Sequence, residues 1–140
     1  MKEGAAVLKI AVCDDEQTHL DKTRAMLDQY AAAHDVEITA EAFLNPSALL
    51  DSIEAGERHD IYLLDIYMPG VSGMSVATDL RSKGVRSPII FLTSSTEHAV
   101  EAFGVDATHY LLKPYTQQNS FSVCEWAIFA MQWACGAGLM

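Results

Sequence analysis

The chain has 140 residues, half of them hydrophobic and a fifth charged, which suits one compact domain and excludes an intrinsically disordered chain. Nineteen acidic residues against nine basic ones give a net charge of −10, which repels phosphate backbones and anionic lipid surfaces, so direct nucleic-acid binding by this chain is not expected. Cys13, Cys124 and Cys135 lack the spacing of a zinc site or redox pair, and Met1 to Ala6 carries no apolar leader, so a reduced, cytoplasmic setting is expected.

Strand-length apolar runs alternate with helix-length amphipathic stretches five times, the pattern of a parallel sheet covered on both faces. The first strand is predicted over Leu8 to Cys13 and the first helix over Gln17 to Ala32, with Leu20, Leu27, Tyr30 and Ala31 on its apolar stripe. Val36 to Phe43 alternates like an edge strand. Asn45-Pro46 supplies a cap and a first-turn proline for a short helix to Glu54, which Gly56 ends. Ile61 to Asp65 is the most continuously apolar strand and is therefore expected at the centre of the sheet. It leads into the turn from Met68 to Gly73, and a helix follows over Met74 to Lys83, buried through Val76, Ala77 and Leu80 and capped by Gly84. Pro88 opens a fourth strand, Ile89 to Thr93. A fourth helix is predicted over Thr96 to Phe103, a fifth strand over Thr108 to Leu112, and a last helix carrying Phe121, Cys124, Ile128, Met131 and Cys135 at spacings of three and four.

In a doubly wound sheet the functional cleft lies at the carboxyl ends of the strands. Those ends hold Asp14 and Asp15 after the first strand, Asp65 after the third, Thr93 after the fourth and Lys113 after the fifth. Carboxylates gathered in one cleft repel one another by roughly 3 kcal/mol per pair at about 5 Å and an effective dielectric of 20. Proton sharing or Lys113 could offset this, but an oxygen-only donor set best suits Mg²⁺, which keeps open positions for a phosphoryl oxygen. Phosphoryl transfer then needs a nucleophile, a cation and a hydroxyl, and Asp65, Lys113 and Thr93 supply them. Taken singly each residue has a plainer explanation: the acids and Thr93 as helix caps, Lys113 as a solvated charge, Tyr110 as an amphipathic core residue.

Cys13-Asp14-Asp15-Glu16, Leu64-Asp65-Ile66-Tyr67-Met68-Pro69-Gly70 with Gly73, Phe91-Leu92-Thr93-Ser94 and Tyr110-Leu111-Leu112-Lys113-Pro114 together resemble the motifs of the receiver domain of two-component response regulators, over nearly the whole chain. The stretch from Ser94 to Leu112, with Glu97-His98-Ala99 and Phe103, is most similar to the subgroup with a LytTR-type (LytR/AlgR-like) DNA-binding output domain. The resemblance implies a single α/β domain, flavodoxin-like, with five βα units, a five-stranded parallel sheet and strand order 2-1-3-4-5. It further implies that Asp65 accepts a phosphoryl group from the phosphohistidine of a sensor histidine kinase, that Asp15 binds Mg²⁺ directly and Asp14 mainly through water, and that the carbonyl of Tyr67 completes the metal's protein ligands. Lys113 would pair with the phosphoryl oxygens. Thr93 and Tyr110 would form the switch, Tyr67 and Ser95 would tune dephosphorylation, and the peptide bond before Pro114 would be cis.

The receiver is expected over residues 6–134, with 135–140 as a tail where an output domain or linker would begin. No Lys or Arg follows Lys113, so the chain itself carries no DNA-reading segment. The run from Phe121 to Met140 approaches the length of a membrane span, but basic flanks are absent and Ser122, Glu125 and Gln132 interrupt it. A wide-faced final helix is expected instead, with Trp126 and Trp133 on one side. Its surplus apolar surface suggests a homodimer or an output-domain contact through helix 4, strand 5 and helix 5. The five histidines, His19, His34, His59, His98 and His109, are read as surface residues. Two alternatives stay open: a phosphohydrolase with an aspartyl-phosphate intermediate, which usually wants an acid where Tyr67 stands, and a receiver-like module that is never phosphorylated.

Overall fold

The structure, a computed structural model, describes residues 7–66, 68, 70–93, 109–112 and 124–125, with residues 93 and 109–112 described by their backbone. The elements are β1 (Val7–Cys13), α1 (Gln17–His34), β2 (Glu37–Phe43), α2 (Pro46–Glu54), β3 (Ile61–Asp65), α3 (Gly73–Ser82), β4 (Ile89–Thr93) and β5 (His109–Leu112). All strand pairings are parallel, in one sheet of order β2-β1-β3-β4-β5, as the sequence predicts. The helices predicted over Thr96 to Phe103 and from Phe121 onward lie outside the described residues, apart from helical Cys124 and Glu125.

Alternate residues of the inner strands feed two cores because successive strand side chains point to opposite faces. Ala11, Cys13, Tyr62, Leu64, Ile89 and Phe91 pack with α2 and α3, while Ile10, Val12, Ile61, Leu63, Ile90 and Leu92 pack with α1 and Cys124. Every residue of β3 is buried, which accounts for its unbroken apolar run. β2 lies at the sheet edge, and only its final residue, Phe43, is buried.

Local chemistry sets the helix ends. Asn45 accepts a hydrogen bond from the Ala48 amide at 2.8 Å, and Pro46 occupies the first turn of α2. Ser72 caps α3 through the Ser75 amide at 3.3 Å, so that helix begins at Gly73, one residue before the predicted start. α1 runs two residues past its predicted end. There His34 stacks on Tyr30 at 4.0 Å, and Asp35 closes the helix in the left-handed region at φ 54°. Met26 and Thr23 join Leu20, Leu27 and Tyr30 on its buried stripe.

His59 corrects the surface assignment, being only 3% exposed. Its Nε2 lies 2.8 Å from Glu41 Oε1 on β2, its backbone amide donates to the Tyr62 hydroxyl at 3.0 Å, and its carbonyl accepts from Ser87 Oγ at 2.7 Å. The ring also packs edge-on against Phe43 and Tyr62. Glu41 on β2 and Ser87, two residues before β4, thus offset part of the desolvation of this loop residue, whose buried Nδ1 has no hydrogen-bond partner among the described residues.

Leu64 is fully buried on the central strand, so Leu64→Ala is expected to cost about 3 to 5 kcal/mol of unfolding free energy, measured as a lowered urea midpoint. A loss below about 1 kcal/mol would mean that β3 is not the packed centre of the sheet.

Candidate acidic site

Register builds the site. β1 and β3 pair with Cys13 opposite Leu64, so the next residue on each strand, Asp14 and Asp65, emerges at the same level of neighbouring strands. Asp15 follows directly. Single carboxylate oxygens of Asp14, Asp15 and Asp65 all lie within 4.8 Å of one another. Asp14 is wholly buried and Asp65 is 6% exposed, whereas Asp15 is not buried.

Backbone bonds hold both turns. The Asp14 amide donates to the Phe43 carbonyl at 3.1 Å, and Asp14 Oδ1 accepts from the Glu16 amide at 3.1 Å, fixing the carboxylate at the entrance to α1. On the other strand the Ile66 amide donates to Leu92 O at 3.1 Å, and Ile66 O accepts from the Gly73 amide at 3.0 Å. The start of α3 is thereby tied to the residue after Asp65. Ile66 and Met68 are buried beneath the turn.

The field of the cluster reaches the adjacent thiol. Cys13 is buried and has its pKa pushed up from 9.0 to about 12, first by burial and then by the charges of Asp14, Asp65 and Asp15. Its Sγ contacts Met68 Sδ at 3.6 Å. His19 is a participant that the sequence reading left on the surface. Its Nδ1 stands 3.6 Å from Asp14 Oδ2 and 3.3 Å from Glu16 Oε2, so Asp14, Glu16 and His19 form a second cluster sharing Asp14. Its position on the first turn of α1 was the available signal.

The remaining predicted site residues are less fully described. Thr93 ends β4 and pairs with Leu112 of β5, which places its backbone at the carboxyl edge one residue beyond Leu92, the partner of Asp65. Tyr110 pairs with Phe91. The side chains of Thr93 and Tyr110, and all of Tyr67, Ser95, Lys113 and Pro114, lie outside the described residues.

The donor set fits a hard divalent cation: three carboxylates, two of them buried, with ligand oxygens close enough to share one ion. It can also present one carboxylate oxygen as a nucleophile once the negative charge around it is balanced.

The raised Cys13 pKa has a definite sign. Below pH 9.0 the thiol keeps its proton folded or unfolded; between 9.0 and about 12 only the unfolded chain releases it, so this contribution to stability is lost as pH climbs through that window. At pH 8, Cys13 in the native chain should react with iodoacetamide about 100-fold or more slowly than in the urea-unfolded chain, by peptide mass mapping. Equal rates would contradict the buried, negatively surrounded thiol.

Residues 10–124 match the family model of the response regulator receiver domain. The chain is 33% identical over 113 residues to the sensory transduction protein LytT of Bacillus cereus, covering 81% of this chain and 44% of that protein. It is 32% identical over 112 residues to the positive alginate biosynthesis regulatory protein of Pseudomonas aeruginosa, covering 80% and 44%. The chain therefore spans less than half the length of these curated relatives. Among solved structures, the response regulatory domain of protein mrkE from Klebsiella pneumoniae superposes with a TM-score of 0.78 at 25% identity, over 90% of this chain and 99% of that one. With the flavodoxin-like strand order, the acidic strand ends and a family match over most of its length, the chain belongs to the response regulator receiver domain family.

Proposed function

We propose that this domain is a phosphorylation-controlled switch in which Asp65 is the phosphoacceptor. The observation that supports it most is the convergence of Asp14, Asp15 and Asp65 at the carboxyl ends of two adjacent parallel strands. The phosphoryl donor is the phosphohistidine of a sensor histidine kinase. A carboxylate oxygen of Asp65 attacks phosphorus, the P–N bond breaks as the new P–O bond forms, and the released imidazole retains the electron pair of the broken bond. Hydrolysis of the acyl phosphate later returns Asp65 and inorganic phosphate. The domain is thus an acceptor with self-catalysed transfer rather than an enzyme turning over a substrate.

Mg²⁺, when bound, neutralises charge on the phosphoryl oxygens and on the acids. Asp15 would hold Mg²⁺ directly and Asp14 mainly through water, with Asp65 and the Tyr67 carbonyl completing its protein ligands. Lys113 supplies a further cation to the phosphoryl oxygens. Loose phosphoryl-transfer transition states ask chiefly for positioning and charge stabilisation, the roles proposed for these groups. Thr93 then hydrogen-bonds the phosphoryl group and Tyr110 follows it inward, repacking the face of helix 4, strand 5 and helix 5. Through that face the domain pairs with a second copy or with an output domain. The names of two relatives, a sensory transduction protein and a biosynthesis regulatory protein, support a signalling role, and the motif resemblance supports control of transcription through a LytTR-type output. The receiver occupies residues 6–134, with 135–140 leading toward that output. Among the described residues no helix is long and apolar enough to cross a membrane.

Incubation with acetyl phosphate and Mg²⁺ should give one phosphoryl adduct per chain by intact mass, not formed when the metal is chelated beforehand and absent from Asp65→Asn. Release of many equivalents of phosphate without an adduct would favour the phosphohydrolase, and no reaction would favour a module that is never phosphorylated. Tyr67 lies two residues after the acceptor and is proposed to hinder attacking water, so Tyr67→Ala should shorten the adduct's half-life. An unchanged half-life would remove Tyr67 from that role.

A further inference from the structure

We infer that Gly73 is a positioning residue for Asp65, setting the place of the acceptor strand end relative to the acids of β1; this rests on the proposed role of Asp65. Gly73 opens α3, and its φ is not among the positive values found at Gly56, Gly70 and Gly84. Backbone conformation therefore does not demand glycine here; close approach does. A Cβ built on Gly73 would overlap the backbone carbonyl oxygen of Asp65, lying also 3.0 Å from its carbonyl carbon and 3.3 Å from the Ile66 Cα. All three atoms are main chain, so no flexible side chain can swing aside.

The approach is held from both sides. The Gly73 amide donates to Ile66 O at 3.0 Å, while the Ile66 amide donates to Leu92 O at 3.1 Å on β4. Ile66, the residue after Asp65, is thus clamped between the first residue of α3 and the neighbouring strand. Ser72 fixes the helix start through the Ser75 amide, and Val76, Ala77 and Leu80 anchor α3 in the core. A methyl group at position 73 must therefore move either the helix or the end of β3. The end of β3 carries Asp65, whose carboxylate oxygen meets those of Asp14 and Asp15 within 4.8 Å. A displacement of a few tenths of an ångström there alters the spacing of the oxygens that share a cation.

The test compares Gly73→Ala with Val76→Ala in the full chain, reading Mg²⁺ affinity from the rise of the urea midpoint with Mg²⁺ concentration. This linkage reports the folded state's affinity even when a variant is marginally stable. Val76 is fully buried on the same helix but does not approach Asp65, so Val76→Ala should lower stability and leave Mg²⁺ affinity within about twofold of wild type. Gly73→Ala should weaken Mg²⁺ binding by about tenfold or more, as changes to groups that orient metal ligands do. Initial phosphorylation by acetyl phosphate at saturating Mg²⁺ should slow as well. Equal affinity in Gly73→Ala and wild type, or an equal loss in Val76→Ala, would overturn the inference while leaving the acidic site intact. A Gly73→Ala chain that stays unfolded in saturating Mg²⁺ also counts against it, because glycine would then serve the fold rather than the placement of one residue. If wild type itself gains no stability from Mg²⁺, the reading of the acidic site falls together with the inference.

Discussion

The pairing of β1 with β3 is the constraint on which the molecule turns. Parallel strands in register bring equivalent positions to one level, and here the residues beyond the last paired apolar positions are Asp14 and Asp65. Burial of β1 and β3 side chains in two separate cores holds that register, because a one-residue slip would exchange the faces of every side chain. Hydrophobic packing thereby forces like charges together. Two carboxylates about 5 Å apart repel by roughly 3 kcal/mol at an effective dielectric of 20, a repulsion that the Glu16 amide and His19 beside Asp14 lessen.

The same arrangement explains why the surroundings of the acids are so closely fixed. Backbone donors and acceptors from β2, β4 and α3 secure the chain on either side of the cluster, so the carboxylates cannot relax apart by moving their strands. Cys13 behind them is kept protonated far above neutrality, and its contact with Met68 packs the floor with sulfur rather than with another charge. Of the three acids only Asp15 is not buried, so the negative charge of the cluster meets solvent there. A cation or a phosphoryl group attended by one is the chemistry that such a recess favours.

Much of this was legible from residue order alone. Ile61 to Asp65 was delimited by its unbroken apolar run and terminal acid, and Asn45-Pro46 announced α2 through capping chemistry. The acidic cluster was legible because strand ends in a doubly wound sheet share one edge, so Asp14, Asp15 and Asp65 could be gathered before their distances were known. What escaped depended on partners distant in sequence. His59 is buried where Glu41 meets its Nε2 and Ser87 its carbonyl, with its Nδ1 left without a hydrogen-bond partner among the described residues. The end of α1 depended on a ring stack rather than on the apolar stripe. Gly73 was visible as part of a motif, but its steric reason, the Asp65 backbone, emerged only with the fold in hand.

Chemical unfolding of wild type, Asp14→Asn and Asp65→Asn, each with and without Mg²⁺, tests the electrostatic account most directly. Without the metal, each neutralised variant should be more stable than wild type by about 1 to 3 kcal/mol, since one repulsive partner is gone. With Mg²⁺ the order should narrow or reverse, because wild type gains most from the ion. Variants that lose stability without the metal, together with a wild-type midpoint that Mg²⁺ leaves unmoved, would contradict the claim that the fold holds repelling carboxylates together to receive a cation.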